Sequence, residues 1–86
     1  MSAKVVKELS EFLIERNIKH SKFMSKFRVS IMDTEPLGLR DISFSVLNSG
    51  CIDVYIRHDY ASVCLFDDAD IGRVKGFISL IKDIVI

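Results

Sequence analysis

The chain has no apolar run long enough to span a bilayer, and its Met-Ser-Ala-Lys opening, followed by a charged helical pattern, is no secretory signal. A membrane partner is therefore not expected, and the expected compartment is the cytoplasm. Because the sequence opens on Met, it reads as a whole small product. Net charge is also missing. Twelve basic and twelve acidic residues cancel, which argues against a generic binder of polyanions. Cysteine is scarce: Cys51 and Cys64 are the two in the chain. Their spacing fits neither a zinc knuckle nor a redox pair, and free thiols suit a reducing compartment.

The residues of familiar active sites are missing too. Gly72-Arg-Val-Lys-Gly76 lacks the Lys-Ser/Thr ending of a phosphate-binding loop. No nucleophile elbow occurs, and the serines carry no Ser-His-Asp signature. His20 and His58 lie far apart in sequence and read as surface loop residues. The expectation is a non-enzyme with no cofactor and no metal.

What the chain does have is alternation. In Asp41–Leu47, Ile42, Phe44 and Val46 alternate with Ser43 and Ser45. Ile52, Val54 and Ile56 repeat the pattern in Cys51–Arg57, as do Ala61, Val63 and Leu65 in Tyr60–Phe66. Period two marks half-buried strands. Asn48-Ser49-Gly50 suits a three-residue hairpin loop, pairing Val46 with Ile52, Phe44 with Val54 and Ile42 with Ile56. A two-residue loop at His58-Asp59 pairs Ile56 with Ala61, Val54 with Val63 and Ile52 with Leu65. By these registers Cys51 faces Phe66 and Cys64 faces Asp53. The two thiols are then diagonal neighbours about 7–8 Å apart at the backbone, too far for an unstrained disulfide.

Lys26–Met32 reads as a further strand, with Ile31 opposite Ile42, Val29 opposite Phe44 and Phe27 opposite Val46. Pro36-Leu37-Gly38 is a turn sequence. Leu37 and Leu39 either fold back over a core end or form a contact point. Before this strand, Ser2 to about Arg16 carries Val5, Val6, Leu9, Phe12 and Leu13 on one helical stripe, and Asn17 suits a left-handed helix end. A basic connector follows. After the strands, Asp67 or Asp68 is expected to cap a last helix whose stripe is Ile71, Val74, Ile78, Ile81 and Val85. Gly72 and Gly76 fall on its opposite side, either as a tolerated outer surface or as a place of close approach.

The fold class that follows is α+β in the order α-β-β-β-β-α: a single small domain, with a four-stranded antiparallel meander and both terminal helices on one face. The open face then presents Arg28, Asp53, Tyr55, Arg57, Tyr60 and Phe66 among small serines. Tyr and Arg commonly anchor interfaces. The functional expectation is a protein-interaction module that acts as a small inhibitor or regulator of a larger complex, of the kind that phage and mobile elements encode. A protein partner is expected through this open face, with Leu37, Leu39, Gly72 and Gly76 as secondary contacts. The alternative partner is single-stranded nucleic acid, with Tyr55, Tyr60 and Phe66 stacking bases while Lys26, Arg28 and Arg57 meet phosphates. A homodimer is left open.

Overall fold

The computed structural model describes residues 2–32, 38–59 and 61–86. Leu37 and Tyr60, both named above, lie outside them. The chain is α+β, with two helices and a sheet of five antiparallel strands rather than four.

Helix α1 (Ser2–Glu15) buries Leu9, Phe12 and Leu13. It ends as Asn17 suggests: Asn17 is left-handed (φ 56°), its N–H reaches the Ile14 carbonyl, and the Ile18 N–H reaches the Leu13 carbonyl, both at 3.0 Å. This paired closure satisfies carbonyls that the helix end would otherwise leave bare, and it tucks Ile18 into the core. Ile14, off the stripe, is exposed.

The connector then forms an unforeseen strand. β1 (Ser21–Phe23) folds back on β2 (Lys26–Ser30) with Phe23 opposite Lys26 and Ser21 opposite Arg28. Met24 makes the reversal at φ 56°, a conformation unusual for a residue with a Cβ.

β2 pairs with β3 (Leu39–Val46), but Phe27 lies opposite Phe44 and Val29 opposite Ile42, two residues from the expected register. A slip of two keeps every side chain on its face, so alternation alone cannot choose between the registers. Between β3 and β4 (Ile52–His58) the expected pairs are all present: Val46 with Ile52, Phe44 with Val54 and Ile42 with Ile56. The loop that fixes them closes with the Leu47 N–H on the Cys51 carbonyl at 2.8 Å and Gly50 at φ 91°. Positive φ at this loop position is what selects glycine.

The last hairpin departs most from expectation. His58, not Arg57, closes it, donating to the Ala61 carbonyl at 2.9 Å. The pairs with β5 (Ser62–Ala69) are Arg57–Ser62, Ile56–Val63, Tyr55–Cys64, Val54–Phe66 and Ile52–Ala69, with irregularities on both sides of Val54–Phe66. Each β-bulge inserts a residue and changes which side chains face inward. Phe66 and Ala69 are thereby placed on the core face and Leu65 is left 39% exposed, while Val63, opposite Ile56 outside the irregular stretch, is 48% exposed. Cys64 consequently faces Tyr55 rather than Asp53, and both cysteines are free thiols.

Because β5 continues to Ala69, neither Asp67 nor Asp68 caps the last helix. Asp70 does, accepting the Arg73 N–H at 2.8 Å. Helix α2 (Ile71–Ile81) buries Val74 and Ile78, and a short 3-10 turn (Lys82–Ile84) follows. Residues 84–86 then run beside β2: Val85 bridges Ile31, and Met32 and Ile86 donate to the Ile84 and Ser30 carbonyls.

Both helices cover the same side of the sheet. Phe27, Phe44, Val54 and Phe66 form one inner row, and Leu9, Leu13, Val74 and Ile78 close over the sheet. Each such fully buried side chain contributes about 1.5–3 kcal/mol relative to an exposed one. Across the helix–helix seam, Lys75 Nζ donates to Glu8 Oε2 at 2.6 Å. Among the described residues, no helix is long and apolar enough to cross a membrane.

Candidate functional site

Strand registers fix what the uncovered face presents. One row runs Ser21, Arg28, Ser43, Tyr55, Cys64; a second runs Ser30, Asp41, Arg57, Ser62; a third runs Phe23, Lys26, Ser45, Asp53. Of the expected residues, Arg28, Asp53, Tyr55 and Arg57 are brought together here. Phe66 is not. It points to the helices, where its ring meets Phe77 edge-on at 5.1 Å and the Arg73 guanidinium lies 4.7 Å from its centroid.

The centre of the face is an ion-pair cluster. Asp41 is 5% exposed although no helix covers it. Its burial comes from its neighbours: Arg57 donates to Oδ2 through Nε at 3.0 Å and through an Nη at 2.6 Å, while Arg28 Nε lies 4.0 Å from Oδ1. The hydrogen bond to Asp41, followed by its charge, raises the Arg57 pKa further above its ordinary value. Two cations around one carboxylate leave the cluster positive.

Toward β5 the sign reverses. Asp53 Oδ1 accepts the N–H of Asp68, a residue held at φ 56°. A hydrogen bond to Asp53, then the Asp53 charge, raises the Asp67 carboxyl above its ordinary value. The Tyr55 hydroxyl is also pushed up, first by Cys64 and then by Asp53, so it remains a neutral donor at physiological pH.

The secondary contacts are scattered. Leu39 is half-buried and packs on the core. Gly72 and Gly76 are exposed on the outside of α2, and a Cβ at Gly76 would meet nothing within 4 Å. His20 anchors its Nδ1 on the Ile18 carbonyl at 2.8 Å, and His58 ends β4 opposite Leu39. Among the described residues, no group of three or more His, Cys, Asp or Glu side chains could hold a metal ion.

The β1 margin was missed by the sequence reading. Phe23 and Met24 are 76% and 77% exposed, and Phe23 lines one of two adjoining grooves that share Ser21 and Arg28. A signal for this margin was available. No carboxylate stands between Glu15 and Asp33, whereas Arg16, Lys19, Lys22, Lys26 and Arg28 all do. Counting charge over the whole chain concealed it. The chain matches no family model, no curated protein and no solved structure.

Proposed function

We propose that the chain is a non-enzymatic protein-interaction module, a small cytoplasmic inhibitor or regulator that docks through the open sheet face around Arg28, Asp53, Tyr55 and Arg57. One observation carries this reading: Asp41 is buried on a face that no helix covers, where Arg57 is fixed by two hydrogen bonds to it and Arg28 lies within ion-pair distance. Ordering side chains before contact lowers the entropy cost of association. Arg and Tyr among small neighbours also match the composition of interface anchors. The face changes sign across its width, which favours one orientation of a complementary partner.

Single-stranded nucleic acid across the middle of this face fits less well. Phe66 lies on the far side, Arg57 is tied to Asp41, and Asp53 and Asp67 add negative charge.

Tyr55→Ala is the appropriate probe, because Tyr55 makes none of the bonds that hold Asp41. Wild type and variant, each confirmed folded by thermal melting, are used as bait in the native host and their captured proteins compared by quantitative mass spectrometry. The expected result is a protein captured at stoichiometric level by wild type and lost from the variant. Equal recovery with both baits refutes the assignment of this face.

A further inference from the structure

The margin of the sheet at β1 carries a second site. Along the outer edge of β2, β1 ends at the Ser21–Arg28 pair, and residues 84–86 take over at Ser30, where the Ile86 N–H donates at 3.1 Å. The break between these two neighbours is a groove of about 370 Å³ lined by Lys19, His20, Ser21, Arg28, Ser30 and Ile86. It runs into a second groove of about 350 Å³ lined by Ser21, Phe23, Lys26 and Arg28. Among the described residues, no Asp or Glu side chain lines either one.

Three permanent cations, Lys19, Lys26 and Arg28, therefore face one continuous trough. Arg28 is not cancelled by Asp41, because the other oxygen of that carboxylate is already occupied by Arg57, and the Arg28 side chain stays 52% exposed. We infer that this trough binds single-stranded nucleic acid, with phosphates on Lys19, Lys26 and Arg28 and one base stacked on Phe23.

Phe23 decides between a nucleic acid and an acidic peptide. Its ring is 76% exposed, stands on the outer face in a row with Lys26, Ser45 and Asp53, and shares its groove with the polar residues Ser21, Lys26 and Arg28. A peptide anchor derives its energy from filling a desolvated pocket. A base needs only a flat ring beside cations, since every base has a stacking face. The left-handed Met24 at the reversal is the kind of local exception that concentrates at working sites.

The test is fluorescence anisotropy of a labelled oligothymidylate of about 12 nucleotides, titrated with the intact chain. Neutralising three phosphates gives a log–log salt slope of about −2, so affinity should fall about fifteenfold between about 50 and 200 mM salt. Lys19→Glu with Lys26→Glu should weaken binding at least tenfold, and Phe23→Ala about fivefold or more. All three positions are exposed, and circular dichroism checks that the variants keep the fold. If the charge-reversed protein does not fold, Phe23→Ala alone decides. No binding at about 50 mM salt, unchanged affinity in Phe23→Ala, or displacement by polyglutamate at equal charge concentration each overturns the inference.

Discussion

Gly76→Ala tests whether the outer side of α2 is a spectator or a surface. Gly76 sits mid-helix, and an ideal Cβ built there would touch nothing within 4 Å. The substitution therefore brings no clash, and it removes a glycine whose backbone freedom in the unfolded chain works against folding. Helix propensity puts the gain at about 0.8–1.0 kcal/mol. With an unfolding entropy of about 2.1 cal/mol/K per residue over 86 residues, Tm should rise by about 5 °C. Gly72 is the internal comparison. A Cβ there would stand 3.3 Å from Asp70 Oδ1, the atom that caps the Arg73 N–H. Gly72→Ala should consequently gain less than Gly76→Ala or lose stability. Thermal and urea melts of both variants measure these differences. A Gly76→Ala protein no more stable than wild type would refute the propensity argument. A stabilised Gly76→Ala protein that no longer captured its partner would instead transfer the docking role to this side of α2.

Phe44→Ala removes a side chain with no exposure that sits between Phe27 and Val54 in the central inner row. It should cost about 3–5 kcal/mol, against a total expected stability of about 0.05–0.15 kcal/mol per residue; a soluble variant with an unchanged urea midpoint would contradict the assigned core. For Asp67 the native pKa lies above the unfolded one. Its contribution is then complete below the ordinary carboxylate pKa and is lost as pH rises through the native value. Asp67→Asn should therefore make stability less sensitive to pH in that window and should be relatively favourable at neutral pH. Parallel pH–stability curves for the two proteins would remove the Asp53–Asp67 contact from the account.

The legible parts of the fold are those where two independent constraints coincide. At β3–β4, alternation agrees with a loop whose glycine must take positive φ, so the register follows residue by residue. At β2–β3 alternation acted alone and left a two-residue ambiguity. At β4–β5 it gave a register that seated every large apolar residue of the alternating sets, yet the strand carries two irregularities that no local composition announces. That error had placed Phe66 in the candidate site, whereas it belongs to the core. β1 escaped notice because three residues cannot display a period, and its stability comes from pairing rather than pattern. The site was legible to the same degree. Arg28, Tyr55, Arg57 and Asp53 follow from strand parity, whereas the burial of Asp41 depends on how two long side chains fold down over it.

The bridge from Ile31 to Val85 has a consequence for how the protein is made. During synthesis, the stretch of β2 around Ser30–Met32 emerges from the ribosome long before the segment that will pair with it. Until then it offers bare amides to any neighbouring chain. Dense polysomes should be where misassembly begins, and an affinity handle is better fused ahead of α1 than behind Ile86, whose amide is already held by Ser30.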